Sequence, residues 1–288
     1  MGTVRRKILR RIRTAQQLYT PENRQPNDSW FSPENRQPND ARLLDNNTIK
    51  KFNPSMLELG DLCAPCQEKE AVTAVFDLTG FTAFCNQVDS YLAIPRFLND
   101  FLEWFFSNIR YRITEKNFGD RSQLWTGLPV MVKFLGDGLM LLWDARKMSE
   151  EQICRLVGTL YMVCHAYRTE FYPHISLAVN KPPSVLRCGV ARGKVFSIGN
   201  YKEYVGHCIN SASRLSHLGF LSFCFTHRGF QVREHMPEEY RQIFVPKYVS
   251  IRGVGENEMV WIVKDEYDRL PVKNREVFRS VEPAGSVV

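Results

Sequence analysis

Apolar and polar positions along this chain follow periods that change from segment to segment. Ala71 to Phe76 is a continuous apolar run closed by Asp77, which predicts a buried strand. Leu92 to Ile113 carries Phe97, Leu98, Phe101, Leu102, Trp104, Phe105 and Ile109, the spacing of an amphipathic helix. Residues 115–127 show neither period and read as a loop. Two apolar runs follow, Leu128 to Leu135 and Leu139 to Trp143, with Gly136-Asp137-Gly138 between them. Asp-Gly between apolar runs signals a hairpin. Ser149 to Phe171 predicts a long helix, with Ser149 as its N-cap and Glu150-Glu151 in its first turn. Val185 to Phe196 reads as a strand interrupted at Arg192-Gly193, and Cys208 to Leu218 as a helix. From Leu221 short strands alternate with turns, including a hairpin around Gly253 to Glu258. The order strand, helix, hairpin, helix, strand predicts an α+β, ferredoxin-like core with added elements, folded as one domain.

The first 67 residues follow another pattern. Arg5, Arg6, Lys7, Arg10, Arg11 and Arg13 alternate with Ile8, Leu9 and Ile12, which predicts a short basic helix suited to docking or to supporting a dimer. Residues 18–54 are rich in Pro, Asn, Asp and Gln and hold the octapeptide Pro-Glu-Asn-Arg-Gln-Pro-Asn-Asp twice, from Pro21 and from Pro33. Two copies make no solenoid, and the composition reads as an arm or linker. The 288 residues are 44% hydrophobic and 24% charged, enough to bury a sizeable core. No apolar run approaches the roughly 18 residues of a membrane-spanning helix, and the basic start has no apolar stretch behind it. Eight scattered cysteines then read as reduced thiols, and the expected location is cytoplasmic. The net charge of +7 suits an anionic partner without naming one.

Three stretches concentrate chemistry: Phe76-Asp77-Leu78-Thr79-Gly80-Phe81-Thr82, Lys133-Phe134-Leu135-Gly136-Asp137-Gly138, and Glu203 through Leu215. Asp77 ends a strand and Asp137 tips a hairpin, so neighbouring strands would bring both carboxylates to one sheet edge. Two close carboxylates repel unless a cation joins them, and hard oxygen donors favour Mg²⁺ or Mn²⁺. Asn210 and Arg214 are four apart in a predicted helix and share a face. Singly, each residue has a plain reading: a cap for Asp77, a turn residue for Asp137, solvated polar groups for Asn210 and Arg214. Their joint order and spacing favours a site.

Together these stretches resemble the signature of class III nucleotidyl cyclases over roughly residues 68 to 266, leaving 267–288 as a tail. The resemblance implies a head-to-tail homodimer that converts a nucleoside triphosphate to its 3′,5′-cyclic monophosphate and pyrophosphate with two ions, Mg²⁺ or Mn²⁺. It makes Asp77, Asp137 and the backbone carbonyl of Leu78 the metal ligands. Arg214 resembles the transition-state arginine, Asn210 the ribose-orienting asparagine, and Lys133 with Glu203 the base-reading pair. Gly189, Gly193 and Gly199 match glycines of the family's strand and hairpin before the last motif. In such a dimer one chain gives the aspartates and the other gives the base, ribose and arginine contacts. A nucleotide-sensing module without turnover is the competing class, and the filled set of positions argues against it.

The family's adenylate cyclases usually pair Lys with Asp or Thr, and its guanylate cyclases pair Glu with Cys; this chain has Lys133 with Glu203. Lysine only donates and ionised glutamate only accepts, which satisfies adenine, cytosine or uracil and suits guanine less well. The longer reach of Glu leans toward a single-ring base. In its architecture, a short cyclase-like chain with an N-terminal arm and no receptor, membrane or sensor domain expected, the chain resembles the pyrimidine cyclases of bacterial Pycsar antiphage systems, whose cyclic CMP or cyclic UMP acts on a separate effector. ATP is the alternative substrate. No nucleic-acid partner is expected. Cys63-Ala-Pro-Cys66 lacks the second ligand pair of a zinc site and reads as a plain loop, Cys164-His165 as helix packing, and His207 as a helix-start residue. Residues 121–125 read as a surface loop between the metal motifs.

Overall fold

Strand β1, Glu68–Thr79, lies inside the main sheet of the computed structural model, which describes residues 45–199 and 203–281. The basic segment and both octapeptides lie outside the described residues. The chain divides into two units between Met56 and Leu57. Of the first unit, Asn46–Lys51 is a short helix within the segment read as an arm.

In the second unit β1 is followed by a short helix, Phe81–Cys85, and by α1, Ser90–Ile113. Next come β2 (Thr114–Phe118), β3 (Arg121–Leu124), β4 (Met131–Phe134) and β5 (Gly138–Asp144). Helix α2, Glu150–Ala166, widens through a π turn at Tyr167–Phe171 and ends at Tyr172–Ile175. Strands β6 (Val185–Ile198) and β7 (Glu203–Val205) lead into α3, His207–Leu215. Strands β8 (Phe223–Thr226), β9 (Phe244–Ile251), β10 (Gly255–Val263) and β11 (Phe278–Ser280) complete the set.

The main sheet runs β11-β9-β10-β8-β6-β1-β5-β4, with β7 on β6. Its central order β6-β1-β5-β4, with all neighbours antiparallel, is the ferredoxin-like arrangement that the element order predicted. The alternation of β1 decides the layers. Val72, Ala74, Phe76 and Leu78 face α1 and α2, where Phe97, Phe101, Phe105, Ile109, Leu156, Leu160 and Val163 form the main core. Phe76 meets Phe105 edge-on at 4.9 Å, and burying one such side chain contributes about 1.5–3 kcal/mol. On the other face Ala71 and Val75 join Met131, Met140, Leu142, Val195, Cys208 and Ala212 beneath α3.

Ser149 caps α2 as expected: its hydroxyl accepts from the Gln152 N–H at 3.2 Å, and the Gln152 side chain accepts from the Ser149 N–H at 2.9 Å. Three local features differ from the pattern. Residues 115–127 are mostly a β2-β3 hairpin, turned at Gly119 with φ 62°. Its strands are polar on both faces, so no alternation marks them; Trp125 anchors it by donating from Nε1 to the Arg112 carbonyl at 2.9 Å. Strand β6 runs unbroken through Arg192, whose guanidinium holds Glu70 and Glu150, each at 2.7 Å. The chain past Glu266 returns to the sheet, where β11 pairs with β9 and buries Phe278.

Helix α3 lies close against β6 because position 189 has no side chain. A Cβ at Gly189 would stand 2.1 Å from the Ala212 carbonyl oxygen and 2.4 Å from the Ser216 nitrogen. Both are backbone atoms, so the helix itself would have to move. Gly189→Ala is therefore expected to lower stability by about 1–3 kcal/mol, read as the midpoint of denaturant unfolding. An unchanged midpoint would show that α3 does not depend on this contact.

Candidate active site

Asp77 stands opposite Gly138 of β5 and Arg187 of β6, on the face of β1 that carries α3. The hairpin tip between β4 and β5 is clipped to β1 there. The Leu78 N–H donates to the Asp137 carbonyl at 2.9 Å, and the Leu135 N–H donates to the Gly138 carbonyl at 2.9 Å. Gly136 takes the left-handed conformation, with φ 95°. Gly138 has a separate reason to be glycine: a Cβ would lie 1.9 Å from the Phe76 carbonyl oxygen. The tight approach brings Asp77 and Asp137 to one edge, as the motifs predicted. Leu78 buries its side chain among the helices, so only its backbone is available there.

The electrostatics match this crowding. Burial pushes the Asp77 carboxyl above the usual carboxylate range; His217 pulls it down, the nearby Asp137 pushes it up again, and Arg187 opposes. The Asp77 side chain is 13% exposed, and its Oδ1 lies 3.5 Å from His217 Nε2. The Nε of Arg187 is buried without a hydrogen-bond partner among the described residues. Asp77 and Asp137 offer hard oxygen donors, and His217 a nitrogen beside Asp77. No three such side chains are already gathered at ligating distance among the described residues.

Two further groups share the sheet face. Lys133 of β4 donates from Nζ to both carboxylate oxygens of Glu203 in β7, each at 2.8 Å. Helix α3 buries Cys208, Ser211, Ala212 and Leu215 and leaves Asn210 and Arg214 exposed, one turn apart. Among the described residues neither Asn210 nor Arg214 has a side-chain hydrogen bond or ion pair, and nothing joins Arg214 to the aspartates. The chain thus forms three pairs: the acids, the Lys133-Glu203 bridge, and the two free groups on α3.

Sequence reading missed Arg187 and His217. Arg187 is found only through its register opposite Asp77. His217 lies just past the end of α3 and was legible only as three residues beyond Arg214. His207, weighed instead, contacts Ser211 of its own helix at 3.3 Å. Cys63 and Cys66 are exposed. Two cavities of about 500 and 550 Å³ lie elsewhere, and neither is lined by any of the six candidate side chains. No helix among the described residues is long and apolar enough to cross a membrane.

No protein-family model and no curated protein matches the sequence. Among solved structures, the adenylyl cyclase CyaB from P. aeruginosa superposes with a TM-score of 0.50 at 15% identity, covering 69% of this chain and 95% of that one. A guanylyl cyclase superposes at 0.49 with 17% identity, over 68% of this chain and 92% of that one. The guanylate cyclase domain of RhGC from Catenaria anguillulae, in complex with GTP, gives 0.45 at 17% identity, over 68% and 98%. The first of these, with the strand order above, shows that the chain has the mixed α+β fold of class III cyclase catalytic domains.

The Asp77 environment generates a stability prediction for metal-free protein. Its carboxyl binds a proton more tightly when folded, so its contribution is fully present below the unfolded pKa and is lost as pH rises through the folded value. Asp77→Asn is expected to raise the thermal midpoint in chelator at neutral pH, with the difference closing as pH falls into the acid range. A variant less stable than the parent at neutral pH would contradict the assigned burial cost.

Proposed function

We propose that the chain is a class III nucleotidyl cyclase acting as a head-to-tail homodimer. One observation carries the reading: the Leu78-Asp137 clip holds two acids at one sheet edge, where Asp77 is buried enough to disfavour its charge. A hard divalent cation answers that cost, and the donor set, Asp77, Asp137 and the Leu78 carbonyl, fits Mg²⁺ or Mn²⁺. When bound, two such ions lower the pKa of the attacking hydroxyl and neutralise phosphate charge.

The chain's own residues do the rest. The ribose 3′-oxygen attacks the α-phosphorus, the bond to the bridging oxygen breaks, and pyrophosphate leaves with the electron pair while the hydroxyl proton passes to solvent. Asn210 holds the ribose in line for that attack. Arg214 of the partner subunit puts its fork on the α-phosphoryl oxygens, where charge accumulates. Both side chains are free for this among the described residues. Exposed apolar side chains on and beside the same strands also suit a protein contact. Val132, Phe134, Leu135, Phe196 and Val205 are each between 40% and 50% exposed, with Val132 and Phe134 on the helix-layer face of β4 rather than on the face of Lys133.

Lys133 and Glu203 read the base by opening their ion pair around it, one donating and one accepting. A single-ring base leaves more of the pocket to cross, and the longer reach of Glu203 suits it, which favours UTP or CTP. The product would be a cyclic pyrimidine nucleotide, a second messenger in bacterial antiphage defence read by a separate effector. The same pair also satisfies adenine, so cyclic AMP from ATP is the second reading.

Purified protein with Mn²⁺ and each of the four triphosphates should yield one cyclic product, from UTP or CTP, resolved by chromatography. Asp77→Ala or Asp137→Ala should lower turnover at least ~10²-fold. Product from ATP alone would select the second reading, and no product from any triphosphate would leave a nucleotide-binding module. For the shared site, mixing inactive Asp137→Ala and Arg214→Ala chains should restore up to about a quarter of parental activity, one intact site in each heterodimer. A mixture as inactive as its components would refute the shared site.

A further inference from the structure

The pairing of Asp77 with Asp137 leaves one adjacent side chain unused. We infer that His217 is a third protein ligand of the cation at Asp77, and that it tilts the site toward Mn²⁺ or another imidazole-accepting transition ion over Mg²⁺. This rests on the metal reading of the two aspartates and adds to it a residue from the same chain, beyond the end of the helix that carries Arg214.

The orientation of the imidazole is the starting point. His217 Nδ1 lies 2.9 Å from the Ser213 carbonyl oxygen and 3.0 Å from the Ser216 hydroxyl. A carbonyl only accepts, so Nδ1 carries the hydrogen. In the neutral ring the lone pair is then on Nε2, which lies 3.5 Å from Asp77 Oδ1. A lone pair facing a carboxylate oxygen is repulsive unless a proton or a metal ion lies between them, and a Mn²⁺ titration separates the two. An imidazole anchored by Nδ1–H on a backbone carbonyl, with Nε2 turned to a carboxylate, is how metal-ligating histidines are held.

The distances permit the change. Two donors in adjacent octahedral positions, with bonds of about 2.0–2.2 Å, lie about 3 Å apart. The 3.5 Å separation therefore needs only a small closure, which a slight turn of the His217 ring about its Nδ1 anchor supplies on this 60% exposed residue. Asp137 lies on an exposed tip between Gly136 and Gly138 and completes the set when the ion draws it in. A neutral imidazole adds a ligand without a third negative charge. It also changes the site's softness, since imidazole suits transition ions while oxygen-only sets suit Mg²⁺.

A plain ion pair between Asp77 and a protonated His217 predicts the opposite sign. An imidazolium would repel an incoming cation, so its removal would leave metal binding equal or tighter. The test is a Mn²⁺ titration of the full chain without nucleotide, with free Mn²⁺ read by electron paramagnetic resonance and Mg²⁺ followed by competition. Parent, His217→Ala, His217→Gln and Asp77→Asn are compared, with thermal midpoints confirming that each is folded. His217→Ala and His217→Gln should weaken Mn²⁺ binding about tenfold or more and lower the preference over Mg²⁺. Spin-echo modulation from a ligated nitrogen should be present in the parent and absent in both. Unchanged or tighter Mn²⁺ binding in His217→Ala, or no nitrogen modulation in the parent, would overturn the inference. If Asp77→Asn loses Mn²⁺ while His217→Ala keeps it, the aspartate site stands and only the histidine fails. If Asp77→Asn also binds as the parent does, the aspartate reading itself falls.

Discussion

The hydrogen bond from the Leu78 N–H to the Asp137 carbonyl joins a central strand to the tip of a neighbouring hairpin. It brings the backbones of Asp77 and Asp137 to one sheet edge, near enough that the Asp137 charge pushes the Asp77 carboxyl upward. The surroundings are shaped to permit that approach: Gly138 leaves room for the Phe76 carbonyl, and Gly136 turns the chain through the left-handed region. Beneath them Phe76 and Leu78 anchor the strand in the main core. The helix layer thus fixes the backbone, and the backbone presents the acids on the opposite face. Both faces of the strand are packed, by the helix layer on one side and by the smaller core beneath α3 on the other, and its two-residue alternation leaves Asp77 at the edge of the latter.

The other side chains of the proposed site follow a different principle. Asn210 and Arg214 stay exposed because α3 buries Cys208, Ala212 and Leu215 instead. Lys133 and Glu203 satisfy each other across the sheet face. Asn210 and Arg214 point outward with no side-chain partner among the described residues, and apolar side chains are exposed on β4, β6 and β7. Both features suit the proposed contact with a second copy.

Much of the fold was legible from the sequence because its strongest signals are local. Phe97, Phe101, Phe105 and Ile109 recur every fourth residue and point into one core. Gly136-Asp137-Gly138 announced its hairpin by turn chemistry. What escaped notice depends on contacts distant in sequence. The β2-β3 hairpin is polar on both faces and held by backbone pairing and Trp125. The glycine at Arg192-Gly193 suggested a break, but Arg192 is fixed by Glu70 and Glu150, which come from other elements. Arg187 and His217 acquire meaning only when strand register and helix position bring them beside Asp77. The acids, in contrast, were foreseeable, because strand ends and turn tips are written in short stretches of sequence.

The most direct measurement is a crystal structure of the full chain with Mn²⁺ and a non-cyclisable triphosphate analogue, its metals located by anomalous scattering. Mn²⁺ peaks shared by Asp77 and Asp137 of one subunit are expected, with Arg214 of the partner subunit reaching the α-phosphate across them. Metal peaks away from both aspartates, or a triphosphate bound entirely within one subunit, would contradict the shared metal site.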